Sequence, residues 1–117
     1  MKRYVPNFRP PSKYRAQKTT VDGIAFDSKA EAARYQQLKQ DKRAGKIRWF
    51  TRQPSFILPG GHRYRPDFMV CDNAGAMWVE DVKGFETEEF RLKRDLWRET
   101  FRGLPLRVIK NGRMIDE

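Results

Sequence analysis

Residues 64–84 read YRPDFMVCDNAGAMWVEDVKG, two apolar runs joined by a turn, and the fold depends on how those runs pair. Tyr64 to Val70 reads as a strand. Asp72-Asn73-Ala74-Gly75 reads as a hairpin turn, and Met77 to Val82 as the next strand, ended by Lys83-Gly84. Strand side chains alternate, so Asp81 and Lys83 share one face with Val79, while Val82 shares the other with Trp78 and Glu80. Pairing of the two strands then sets Asp67 beside Asp81. The constellation Pro66-Asp67 and Asp81-Val82-Lys83 therefore carries two carboxylates and an ammonium on neighbouring strands.

Towards the N-terminus, Thr19-Thr20-Val21 and Ile24-Ala25-Phe26 flank Asp22-Gly23, a strong signal for a type I′ hairpin. Ser28 opens a helix with Ala32, Tyr35, Leu38 and Lys39 on one face, running to about Ala44 before Gly45 stops it. Ile47 to Leu58 is rich in β-branched and aromatic residues, with Pro54 marking a bulge or an edge position. Pro59-Gly60-Gly61 is a turn. Towards the C-terminus, Thr87 to about Arg102 reads as a second amphipathic helix. Phe90, Leu92, Leu96, Trp97 and Phe101 form its apolar side, and Arg91, Lys93, Arg94, Arg98 and Arg102 crowd the other. Leu104 to Lys110 is a final strand, and Asn111-Gly112 turns the chain once more. The order hairpin, helix, three strands, helix, strand predicts an α/β domain with a mixed central sheet flanked by two helices.

A chain of 117 residues suits one domain, and 38% hydrophobic and 13% aromatic residues suffice for a core without disulfides. We expect residues 18–117 to form that domain. Residues 1–17 hold three of the seven prolines and many basic groups with no period, which predicts a flexible basic arm. Lys and Arg number 25 against 15 Asp and Glu, a net charge of +10 that favours a polyanionic partner. Nucleic acid is the first candidate. Ribosomal or membrane surfaces are alternatives, and a merely basic soluble protein also fits. The single Cys71 excludes an internal disulfide, and with His62 as the one histidine a Cys/His zinc site is excluded. No apolar run is long enough to span a membrane and no signal-peptide core follows Met1, so we expect no membrane and a reducing intracellular compartment.

Two carboxylates and a lysine on adjacent strands suit phosphodiester hydrolysis. Carboxylate oxygens are hard ligands that hold Mg²⁺ together with waters and a substrate phosphate oxygen. Asp67 and Asp81 are the candidate ligands, and the carbonyl of Val82 could complete the sphere. Lys83 would orient or deprotonate a water, or stabilise charge in the transition state. Glu80 faces away from Lys83 on a regular strand and is assigned a structural or peripheral role. The bland alternative is that Asp81 and Lys83 are a same-face ion pair worth under about 1 kcal/mol.

Taken together, Pro66-Asp67 and Asp81-Val82-Lys83 resemble the signature of the PD-(D/E)XK nuclease superfamily, whose core matches the order of elements read above. KYRAQKTTVDGIAFDSKAEAARYQQLK, RQPSFIL, YRPDFMV and WVEDVKGFETEEFRLKRDLW resemble a family of small phage and prophage proteins placed among those endonucleases. The layout is also similar to phage and archaeal Holliday-junction resolvases and to transposon end-cleaving nucleases. The resemblance implies a restriction-endonuclease-like core and cleavage of DNA, including branched DNA, dependent on Mg²⁺ or Mn²⁺. It further implies a homodimer and the cytoplasm of a bacterium or phage-infected host cell. One departure is Asp81, where Glu is commoner in the superfamily. Many members carry a further acid on the first helix, where Glu31 stands here as a candidate metal or water contact. Ser28-Lys29-Ala30-Glu31 is also a capping box, which accounts for Glu31 without catalysis.

Candidate phosphate contacts are Arg65 beside the Pro-Asp pair, Lys93 and Arg94 on the second helix, Lys29 near Glu31, and Gln53 on the preceding strand. Each also reads as a solvated surface group. The leading expectation is a metal-dependent DNA endonuclease. A non-catalytic nucleic-acid-binding protein, or an RNA-binding or ribosome-associated one, needs only the basic surface.

Overall fold

The computed structural model describes residues 18–117, so the basic arm expected over residues 1–17 lies outside the described residues. β1 (Thr19–Val21) and β2 (Ile24–Phe26) form the expected hairpin, with Asp22 at φ 54° and Gly23 at φ 76°. Both turn residues are left-handed, as a type I′ turn requires. Ser28 then caps α1 (Lys29–Arg43), its Oγ accepting from the Glu31 N–H at 3.1 Å. The helix stops at Ala44, and Gly45 takes φ 80°. Asp22 pins the hairpin to the helix, accepting from the Tyr35 hydroxyl at 3.0 Å and pairing with the Lys39 ammonium.

Five strands make the central sheet, in the order β3 (Ile47–Arg52), β6 (Phe68–Asp72), β7 (Met77–Val82), β8 (Leu106–Lys110) and β9 (Arg113–Asp116). All neighbours are antiparallel except β7 and β8, which are parallel. A parallel pair needs a crossover, and α2 (Glu88–Thr100), capped by Thr87, supplies it. The sheet is thus mixed and flanked by two helices, as expected. β4 (Phe56–Leu58) and β5 (His62–Tyr64) form a separate hairpin around Gly60 and Gly61.

Several expected boundaries move, each for a local reason. Ile47 to Leu58 is two strands: Gln53 at φ 50° turns the chain, and Pro54 lies in the gap rather than in a bulge. Tyr64 to Val70 is also divided, at Arg65-Pro66-Asp67, where a proline without an N–H cannot extend the ladder. Tyr64 consequently belongs to the β4–β5 hairpin, and Asp67 stands one residue before β6. α2 ends at Thr100, the last strand begins at Leu106, and the Asn111-Gly112 turn opens an additional strand, β9.

The two faces of the sheet carry separate cores. On the α1 face, Phe26, Ala32, Leu38, Ile47, Phe68, Val70 and Trp78 pack together. On the α2 face, Leu58, Tyr64, Val79, Phe90, Trp97, Leu106 and Val108 do so. Trp97 is fully buried and its Nε1–H donates to the Leu104 carbonyl at 2.8 Å. Leu92, expected on the apolar side of α2, is exposed. No helix among the described residues is long and apolar enough to cross a membrane.

Candidate active site

The alternation read from β7 decides which acid serves which face. Glu80 points to α1, where Arg34 grips both its oxygens at 2.7 Å and the Trp78 indole N–H donates at 2.9 Å. Its role is structural. Asp81 points to the other face, 3% exposed, where the Tyr64 hydroxyl donates to its Oδ2. Lys83 follows on that side with Nζ 3.7 Å from Asp81 Oδ1 and 4.6 Å from the centre of the Phe90 ring. The Lys83 N–H donates to the Ile109 carbonyl at 2.9 Å, which carries the β7–β8 ladder one residue past the strand and holds the lysine in line.

Asp67 meets this pair across the β6–β7 junction. Its Oδ2 accepts from the Val82 N–H at 2.8 Å, and its own carbonyl accepts from the Gln53 N–H at 3.0 Å. Burial pushes its carboxyl well above the usual range, and Asp81, close enough to share a proton with it, pushes further; Glu31 adds to the effect. Burial also holds the Tyr64 phenol protonated, reinforced by the charge on Asp81.

Glu31 arrives from the start of α1. It is 5% exposed, and among the described residues its Oε2 has no hydrogen-bond partner. Among the described residues its ion-pair partner is Arg52, at 4.0 Å. Burial raises its proton affinity, Asp27 and Asp81 raise it further, and Arg52 opposes them. Only half of the capping box is present. Ser28 accepts from the Glu31 N–H, but no reciprocal bond runs from the Ser28 N–H to the Glu31 carboxylate. The cap therefore makes no use of this carboxylate, whose ion-pair partner is Arg52.

The basic candidates separate clearly. Arg65 and Lys93 line a cleft of about 220 Å³ together with Tyr64, Asp81, Lys83 and Thr87. Lys93 also pairs with Glu89 at 3.3 Å. Lys29 is exposed at the first turn of α1. Gln53 reaches the site through its backbone N–H. Arg94 is engaged elsewhere, within 3.0 Å of Glu86, 3.4 Å of Asp95 and 3.5 Å of Asp116, and it ties α2 to β9.

Two residues escaped the sequence reading. Tyr64 was assigned to the strand of Asp67, and only the break at Pro66 turns it towards Asp81. Arg52, next to the Gln53 that was singled out, stacks its guanidinium 4.7 Å from the Phe26 ring centre and keeps its buried Nε unpaired beside Glu31. The alternation of β3 was the available signal, since Arg52 pairs with Phe68 on the α1 face.

Among the described residues, no three His, Cys, Asp or Glu side chains converge into a ready metal cage. The donor set nonetheless fits a hard divalent cation that keeps most of its waters, which needs only one or two carboxylates from the protein. A buried glutamate oxygen without a partner and two aspartates in mutual repulsion are the features such an ion would relieve.

A family model described as protein of unknown function (DUF1064) matches residues 11–115. The chain belongs to that family. No curated protein matches the sequence.

Proposed function

We propose that this chain is a metal-dependent DNA endonuclease of the PD-(D/E)XK type. The observation that carries the reading is the close Asp67–Asp81 pair at one end of the sheet, with Lys83 3.7 Å from Asp81 and Glu31 near enough to raise the proton affinity of Asp67. Asp67 and Asp81, with Glu31 and the Val82 carbonyl, would hold Mg²⁺ or Mn²⁺. Such an ion supplies Lewis-acid polarisation of a phosphoryl oxygen and an acidified water.

The chain's own groups account for the remaining work. Lys83 is half-buried between Asp81 and the face of Phe90, so its ammonium stands beside the Asp81 carboxylate at the cleft. In that position it orients a water for attack or stabilises the charge that grows on the phosphoryl oxygens. Arg65 and Lys93 line the cleft and offer contacts to flanking phosphates, and Lys29, exposed at the start of α1, offers one outside it. The net charge of +10 supplies the long-range attraction. Resemblance to junction resolvases makes branched DNA the substrate of first choice and a homodimer the unit that cuts two strands symmetrically.

The test is a cleavage panel of single strands, duplexes, flaps and four-way junctions with Mg²⁺ and Mn²⁺. Asp67→Asn and Lys83→Ala should each lower cleavage by about 100-fold or more while retaining DNA binding, the scale of losing one group that stabilises a transition state. Undiminished cleavage by both variants would falsify the site. Retention of DNA with no nicking of any substrate by the unaltered protein points instead to a non-catalytic binding module.

A further inference from the structure

One oxygen of each aspartate is already committed to a fixed protein donor. Asp67 Oδ2 accepts from the Val82 N–H at 2.8 Å, and Asp81 Oδ2 accepts from the Tyr64 hydroxyl. Asp81 Oδ1 faces the Lys83 ammonium at 3.7 Å, and the two carboxyl groups lie close enough to share a proton with each other. Once a cation displaces that shared proton, each carboxylate keeps one oxygen held by a fixed protein donor and presents the other to the ligand.

That arrangement discriminates between hard cations. Mg²⁺ demands compact octahedral geometry and takes single carboxylate oxygens with several waters. Ca²⁺ takes more oxygens at longer range, and commonly both oxygens of one carboxylate. We infer that Tyr64 determines the ion specificity of this site, its hydroxyl restricting Asp81 to one-oxygen ligation and so favouring Mg²⁺ over Ca²⁺. The inference rests on the metal-dependent reading above.

Tyr64 is built for this restraint. It is 6% exposed, its ring centre 5.8 Å from that of Trp97. Its strand pairs with β4, where it faces Phe56, and Phe56 packs edge-on against the same tryptophan at 4.7 Å. The hydroxyl is thus carried by a separate hairpin with α2 behind it. The Val82 N–H restrains Asp67 in the same way, but only proline would remove it, at the end of a ladder strand, which leaves Tyr64 as the adjustable half of the device.

Metal-free protein without DNA is titrated with Mn²⁺, followed by loss of the free-ion paramagnetic resonance signal, and the bound Mn²⁺ is then displaced by Mg²⁺ or Ca²⁺. The unaltered protein, Tyr64→Phe, and a chain carrying 4-aminophenylalanine at that position are compared. The phenylalanine ring refills the same space against Trp97, and thermal unfolding of each chain checks the fold. Tyr64→Phe should shift the ratio of Mg²⁺ to Ca²⁺ affinity towards Ca²⁺ by about tenfold, the usual worth of a residue that orients a metal ligand. The amino group keeps a donor at the same reach and should restore the original ratio. An unchanged ratio in Tyr64→Phe, or an equal shift in both variants, overturns the role of Tyr64 while leaving a metal site standing. Failure of the unaltered protein to bind Mn²⁺ overturns the metal reading itself, and this inference with it.

Discussion

Glu80 and Asp81 are consecutive residues of one strand, 0% and 3% exposed, and they lead opposite lives. Glu80 is surrounded by donors: both oxygens are gripped by the Arg34 fork and the Trp78 indole adds a third bond. Asp81 takes one hydrogen bond, from the Tyr64 hydroxyl, but has Asp67 against it and Glu31 near it, with a lysine 3.7 Å away. A buried carboxylate with matched partners holds a fold together. A buried group of carboxylates short of positive charge is a site that stability alone does not explain.

The sharpest way to break this contrast is to remove the cation from each side. Arg34→Ala strands a fully buried carboxylate and should cost about 3–5 kcal/mol, read as a lower urea midpoint. Lys83→Ala removes a partly exposed cation and should move the midpoint far less. Equal losses would erase the distinction between the two faces.

Removing a charge from the acid side should have the opposite sign. Asp67→Asn keeps an acceptor for the Val82 N–H but relieves repulsion, so the metal-free protein should melt about 4 °C higher, the shift that about 1 kcal/mol brings in a domain of this size. The same group makes stability depend on pH. Its carboxyl is near 4 in the unfolded chain and is pushed up to about 9 in the folded one, by burial first and then by Asp81. Its contribution is therefore complete below about pH 4 and is lost as pH rises through the folded value. Metal-free melting temperature should fall across that window, with a shallower slope in Asp67→Asn. A drop in melting temperature for this variant at pH 8 would assign Asp67 a structural role like that of Glu80.

The smallest effects separate the arginine that α2 spends on structure from the lysine it offers to the cleft. Lys93→Ala should reduce the salt dependence of DNA binding by about one phosphate contact. Arg94→Ala should leave that slope unchanged and instead loosen α2 from β9, since Glu86 and Asp116 lose their shared partner.

Much of this was legible because strand alternation is a local rule. Asp81 and Lys83 share a face, Glu80 takes the other, and no tertiary knowledge was needed to say so. The hairpin at Asp22-Gly23 and the caps at Ser28 and Thr87 were readable for the same reason. What stayed hidden depends on contacts between distant segments. Pro66 gave notice of a break, but not that Tyr64 would turn onto another hairpin and meet Asp81. Charge marked Arg94 as a candidate for DNA, and only the position of β9 shows that carboxylates have claimed it. The carboxylate of Glu31 could be assigned to a cap from its spacing, and the missing reciprocal bond is visible only in three dimensions.

The single parallel contact in the sheet carries a consequence for the order of assembly. Asp67 and Asp81 are brought together by the β6–β7 hairpin, a short-range closure. The ladder bond that aligns Lys83 is to Ile109, and it forms only after the chain has passed through α2 and returned as β8. Loop-closure entropy favours the shorter closure first, so the half of the site that repels itself is gathered before the half that relieves it. Until β8 docks, the Lys83 N–H lacks the ladder bond that holds the lysine in line beside the paired acids.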